Sequence, residues 1–239
     1  MLLQVLYEGI INGATLSLVA MGIALVWGVM NILSFSQGEF LMIGMYVTFW
    51  INHFFGLDPL LALPFCVVIM FFFGLFIYKT MISRALRGPL LSQRLITFAL
   101  SMVLINGALM AFTGEFRTIS DLIFEGTIRV GILNVSKQKL VPLAVAILVT
   151  VSLFWFINKT KMGKSIRATS MNKDAALLMG INTEKAYAIA FAISSAIAGA
   201  AGCALTYYFY IYPSVGTSFQ LLVSWRLLSA VSEASAAHL

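Results

Sequence analysis

The sequence predicts an all-α protein, a polytopic bundle of transmembrane helices. Three observations carry this. Hydrophobic residues make up 61% of the 239-residue chain and charged residues only 10%, with a mean hydropathy of +0.97. That is more apolar surface than a soluble domain of this size can bury. Five apolar runs are each long enough to cross a hydrocarbon core, which takes about 20 residues. The cations, finally, are gathered into particular links between those runs.

The first run, near 10–33, begins close to Met1 without the basic flank or small-residue cleavage site of a signal peptide, so a retained span is expected. Gly9 and Gly13 give it a small-residue face for close helix packing. Asn12, Thr15 and Ser17 make its outer half polar, and Asn12 and Thr15 are candidates to line a polar pathway. The polar hinge SFSQGE at 34–39 leads into a shorter apolar piece, 40–51. It is expected either to cross with a tilt or to form a broken helix buried in protein, and is counted as a crossing. Glu39 is the only acid close to the apolar interior on the cytoplasmic half. An unpaired buried charge is costly, so Glu39 is expected at the interface, bonded to the hinge backbone near Gly38; an intramembrane site is the alternative.

Further spans are expected at 60–78, 95–113, 140–158 and 186–210. Asn106 lies within the third of the five runs, where an amide must find a partner or face water. Ser195, Gly199 and Gly202 recur at four and three residues in the last, so one side of it can approach a neighbour closely. Cys66 and Cys203 fall inside runs, where a thiol is expected to pack as a small hydrophobe; their positions give no disulfide framework and no metal-ligand spacing. His53 is expected to anchor a span end at the interface.

Charge sets the orientation. The link 79–94 carries Lys79, Arg84, Arg87 and Arg94 and no acid, and 159–185 carries Lys159, Lys161, Lys164, Arg167, Lys173 and Lys185. By the positive-inside rule both face the cytoplasm. In 114–139, Glu115, Asp121 and Glu125 offset Arg117, Arg129, Lys137 and Lys139, and the turn 53–59 has only Asp58, so both face outward and the N-terminus is expected on the periplasmic side. The net charge of +6 is explained by this topology, and no aromatic-interleaved basic groove points to nucleic acid.

The segment KMGKSIRATSMNKDAALLMGINTEK (161–185) is organised beyond what a connecting loop needs. Asn172 can cap a short helix, Asp174 sits in its first turn where the helix dipole favours an anion, and Gly180 is placed to end it. Ala175 to Met179 give that helix a small apolar surface, suited to docking in a groove of another protein.

Two stretches carry a family resemblance. GIINGATLSLVAMGIALVWGVMNILSFSQGEFLMIGMY resembles the opening of the permease subunits of branched-chain amino-acid ABC transporters, in a pattern held here by Asn31, Gly38, Glu39, Met42 and Gly44. KMGKSIRATSMNKDAALLMGINTEKAYAIAFAISSAIAGAAG is similar to the family's later segment at Gly163, Arg167, Ala168, Ala175, Gly180, Ile181, Asn182, Phe191, Ala198, Gly199 and Gly202. The resemblance implies the fold of an ABC importer permease of the inner membrane, with 1–222 as the transmembrane domain and 159–185 as a coupling loop against an ATP-binding ABC subunit. It implies a second permease subunit and a periplasmic solute-binding protein as further partners, besides the lipid membrane. It assigns ATPase coupling to Gly163, Arg167, Lys173, Asp174, Ala175, Leu178, Gly180 and Asn182. Pathway or hinge candidates are Asn12, Thr15, Asn31, Gly38, Glu39 and Asn106. No G-x-x-x-x-G-K-[ST] loop occurs, so ATP and Mg are expected on the partner and no cofactor on this chain.

Asn172 and Lys173 stand where relatives often carry acidic residues before the Ala-rich helix. After Leu222 the family pattern would continue with a Gly-rich turn and further spans, whereas 223–239 reads as Ser/Ala-rich. The codons of Ala230, Val231, Glu233, Ala236 and Ala237 all begin with G, which permits that tail to be an out-of-frame reading of the missing segment. A chain truncated in this way would be inactive. A permease for urea or short amides is the alternative substrate reading, and an intramembrane enzyme ranks lowest because no Ser/His, paired-Asp or metal constellation appears.

Overall fold

The computed structural model describes residues 2–32, 34–86, 88–119, 126–130 and 133–236; Arg87, Asp121 and Glu125 lie outside them. Helix α1 (Leu2–Met30) ends where Asn31 turns to φ 54° and its N–H bonds Trp27 O at 2.8 Å. Helix α2 (Gln37–Phe55) ends at Gly56, whose φ of 63° lets its N–H close on Asn52 O at 2.7 Å. Asp58 then caps α3 (Pro59–Ile77), accepting from Leu60 N at 2.9 Å, with Pro59 in the first turn where its missing N–H costs nothing. The chain continues through a π-helical turn (Tyr78–Ile82) and α4 (Ser83–Ala85) into α5 (Leu90–Phe112). A short antiparallel hairpin, β1 (Thr127–Val130) with β2 (Leu133–Ser136), precedes α6 (Lys137–Lys159). Two short helices, α7 (Lys161–Met171) and α8 (Lys173–Leu178), lead to α9 (Thr183–Leu205), and α10 (Val215–Ala236) runs through position 223 as one helix.

The all-α polytopic fold is therefore as expected, with the hairpin and α7 as additions. Among the described residues, five helices are long and apolar enough to cross a membrane: Leu6–Met30, Pro59–Ala85, Leu91–Phe112, Lys137–Lys159 and Thr183–Leu205. The segment 40–51 is not a broken helix. It belongs to an unbroken α2 of 19 residues, about 28 Å long, and the break lies before it, at 31–36.

Helix α9 forms the axis of the molecule, 83% buried over its most apolar window where α5 and α6 are 22% buried. Small residues make this possible, because without a hydrophobic drive between helices in lipid, association depends on close backbone packing. A Cβ added at Gly202 would stand 2.3 Å from Leu41 O of α2, one at Gly44 2.6 Å from Gly199 Cα, and one at Gly74 of α3 2.5 Å from Ser195 Oγ. Around these contacts Phe40 meets Phe73 and Phe191 edge-on at 5.8 and 5.7 Å. Cys66 and Cys203 are buried in the same seam, Cys203 donating to Pro59 O at 3.0 Å. At the end of the seam near Pro59, Tyr207 donates to Asp58.

Candidate functional site

Two polar segments interrupt the apolar bundle, one outside it and one within. The outer one is 159–185. Thr160 caps α7 by accepting from Gly163 N at 3.0 Å, and Gly163 lies where a Cβ would be 2.4 Å from Phe156 O, which folds α7 back against the end of α6. Asn172 Oδ1 accepts from Asp174 N and Ala175 N, both at 3.0 Å, and so starts α8. Gly180 (φ 77°) turns the chain after α8, and Asn182 Oδ1 accepts from Lys185 N at 3.0 Å to start α9. Ala176 is buried against the bundle; Ala175, Leu177, Leu178 and Met179 are not. Met171, Leu178 and Met179 are 85%, 88% and 82% exposed, a small apolar tip on a polar surface. Lys173 and Asp174 flank it, exposed.

The residues assigned to coupling thus divide. Lys173, Asp174, Ala175 and Leu178 lie on the exposed stub. Gly163, Gly180 and Asn182 shape the turns that present it, and Arg167 is exposed but held by Asn158 Oδ1 at 3.0 Å. Met179 belongs to the apolar surface expected of α8, whereas Met171, 85% exposed, is an addition that depends on which way α7 turns against α6.

The inner segment is 31–39, the break together with the first turn of α2. Ser101 is the central residue of α5 and Ser194 the central residue of α9. Glu39 Oε1 accepts from Ser101 Oγ at 3.1 Å, and a Cβ at Gly22 would lie 3.4 Å from Ser194 O and 3.9 Å from Gln37 Oε1. The first turn of α2 is therefore level with the middle of two spans. Helix α10 begins at the same level. A Cβ at Gly38 would stand 2.2 Å from Gly216 O, Gly38 N donates to Gln220 Oε1 at 2.9 Å, and Gln220 Nε2 donates to Ser34 O at 3.1 Å.

Glu39 is 1% exposed, between the N-terminal turns of α2 and α10, and Oε1 also accepts from Thr217 Oγ1 at 3.2 Å. This corrects the expectation of an interfacial carboxylate bonded to the hinge backbone. Two positive helix ends and two hydroxyls offset the burial of the anion, an arrangement the sequence could not show because Ser101 and Thr217 are 62 and 178 residues away.

Of the other pathway candidates, Asn31 opens this break, and Thr15, Asn12 and Asn106 lie elsewhere. Thr15 is buried, donating to Ile11 O and sharing a 3.0 Å bond with Tyr208 Oη. Asn12 is exposed, and Asn106, also exposed, donates to Met102 O one turn back. Asn31 forms the end of α1. Gly9 and Gly13 have nothing within 4 Å of a built Cβ, so the first small-residue pair packs against no described residue, unlike the second on α9.

The sequence model of the family described as the branched-chain amino acid transport system, permease component, matches residues 5–233. The probable branched-chain amino acid transport permease protein LivH of Methanocaldococcus jannaschii is 29% identical over 220 residues, covering 89% of this chain and 69% of that protein. The high-affinity branched-chain amino acid transport system permease protein LivH of Escherichia coli K12 is 31% identical over 230 residues, covering 90% and 74%. BraD of Pseudomonas aeruginosa, of the same description, is 29% identical over 233 residues, covering 90% and 74%. No solved structure matches the chain.

Proposed function

The chain belongs to the branched-chain amino acid transport permease family, and from that premise we propose that it is a membrane subunit of an ATP-driven importer that moves branched-chain amino acids across the inner membrane. The observation that carries the mechanical part is the α7–α8 stub. Its backbone ends are capped internally while Met171, Leu178 and Met179 stand in water. Exposed apolar side chains on a rigid, satisfied frame are what a protein–protein contact uses.

In this reading the stub seats in a groove of a cytoplasmic ATP-binding subunit, which holds ATP and Mg. Gly163 packs α7 on the end of α6, and Asn182 caps α9 a few residues after α8, so in this reading a displacement of the stub acts on both spans. A periplasmic solute-binding protein delivers the amino acid, and a second permease subunit completes the pathway. The exposed Gly9–Gly13 face of α1 is one place where another helix can approach closely. The cationic links at 79–94 and 159–185 support a cytoplasmic stub and an N-terminus outside. Alternating access, not bond chemistry, is the activity.

The test is uptake of labelled leucine into proteoliposomes holding the chain with its ATPase, second permease and binding protein. ATP-dependent accumulation of leucine, isoleucine and valine is expected. Accumulation of urea or a short amide in their place would overturn the substrate assignment, and leucine entry indifferent to ATP would overturn the importer reading.

A further inference from the structure

We propose that a cavity between the end of α3 and the start of α9 holds an anionic phospholipid of the cytoplasmic leaflet, its phosphate against Lys79 and Lys185 and an acyl chain along Phe76 and Phe72. The choice of leaflet rests on the orientation proposed above, and the site itself rests on what lines the cavity.

The cavity measures about 500 Å³, and its lining holds both kinds of surface that a phospholipid needs. Leu75, Phe76 and Ala188 are apolar, and Lys79 and Lys185 are cations. The two lysines come from different elements, the π-helical turn after α3 and the first turn of α9, and both are exposed. Glu184 is the acid in the same lining, so cations outnumber acids there. Two cations brought to one cavity repel each other unless an anion stands between them, and a phosphate supplies that charge. Asn182, also in the lining, has its Oδ1 taken by Lys185 N at 3.0 Å, which leaves the Nδ2 hydrogens for an acceptor such as a phosphate oxygen.

Helical spacing carries this cationic mouth into the membrane. Residues 72, 76 and 79 are four and three apart, which keeps them on one face. Phe72 and Phe76 are exposed on that face, in a helix long and apolar enough to cross a bilayer. Lys79 is the next residue of the face and opens the acid-free link 79–94. A headgroup held at Lys79 therefore leaves its chain on Phe76 and Phe72, the direction in which the bilayer lies. A lysine at a span end commonly extends alone to the headgroups; here a second lysine from another helix lines the same cavity. The π-helical turn contributes Tyr78 and Lys79 to it, and such turns are rare and concentrate at functional sites.

The test is binding of phosphatidylglycerol to the delipidated complex in mild detergent, counted by native mass spectrometry. Affinity is expected to fall about fivefold in Lys79→Gln or Lys185→Gln and about thirtyfold in the double variant, the scale of one and two cations against anionic lipid. Arg84→Gln removes an exposed cation that is not among the described residues of the lining, and should change affinity by less than about twofold. Wild-type affinity in the double variant overturns the proposal, and so does an equal loss in Arg84→Gln, which would mean diffuse attraction to a basic surface. Displacement of the lipid by millimolar inorganic phosphate would make the site one for soluble anions and overturn the lipid. Binding by the separate chain that vanishes in the complex would show a subunit seated in the cavity and overturn it as well. Should the double variant fail to accumulate, the single variants decide. Failure of the transport reading is told apart because lipid binding in detergent needs neither solute nor ATP. Labelling of Arg84→Cys by a membrane-impermeant thiol reagent added outside intact cells would overturn the orientation and the leaflet named here.

Discussion

The segments 159–185 and 31–39 are both polar interruptions of an apolar chain, yet they are unfinished in opposite ways. In the first, the capping bonds are made and what remains is apolar: Leu178 and Met179 stand almost fully exposed. In the second, the apolar packing is complete and what remains is polar: Gln37 and Glu39 are each 1% exposed with unpartnered atoms. Exposed apolar surface is completed by a protein. Buried polar surface is completed by a hydrogen-bonding ligand or by water. In the proposed reading the first segment is the one that meets a partner protein, while the second is a buried polar cluster inside the bundle, and the contrast can be broken from either side.

The largest expected effect lies in the scaffold that joins the two segments. Gly202→Val would press two methyls into the Leu41 carbonyl and the Met45 N–H, which are backbone and cannot move aside. A cost above about 3 kcal/mol is expected, beyond ordinary overpacking, and the full-length chain should be lost from membranes on immunoblotting. Normal levels would show that the α2–α9 seam is not what holds the core. Next, Leu178→Asp with Met179→Asp should leave the permease at wild-type abundance but abolish co-purification of the ATP-binding subunit, since charges in an apolar contact are left desolvated. Asn172→Ala removes the acceptor of two α8 N–H groups and should cost about 1 kcal/mol locally, read as faster amide exchange at Asp174 and Ala175 with uptake only partly reduced. The smallest effect is expected at Asn106, whose exposed amide bonds only its own helix. Asn106→Leu should leave abundance within experimental scatter, as surface changes cost about 0.5 kcal/mol or less, and a large loss would mean that a partner helix covers that face.

Much of the outer segment was legible in the sequence because its determinants are local. Asn172, Asp174 and Gly180 act within a few residues of themselves, and cap, dipole and turn rules apply directly. The small residues of α9 were legible for the same reason, since their spacing declares a face. The inner segment was not. Glu39 is stabilised by Ser101 and Thr217, and Gly38 is packed by Gly216, partners remote in sequence that meet only when α5 and α10 are in place. Local reasoning saw a charge beside an apolar run and moved it to the interface. It also read Gly9 and Gly13 as helix packing, yet no described residue lies against them.

The measurement that most directly tests the docking of the stub is site-directed cross-linking in the assembled complex. The native thiols Cys66 and Cys203 are buried, so Leu178→Cys introduces the reactive position, and Val103→Cys on the exposed face of α5 serves as its counterpart. A short bifunctional thiol reagent, with cysteines placed around the ATPase groove, should join position 178 to the ATP-binding subunit in high yield, in a manner that changes with bound nucleotide, and should not join position 103. A complex that forms and hydrolyses ATP while position 178 remains unlinked would contradict the account, because the ATPase would then be held by some other surface of the permease.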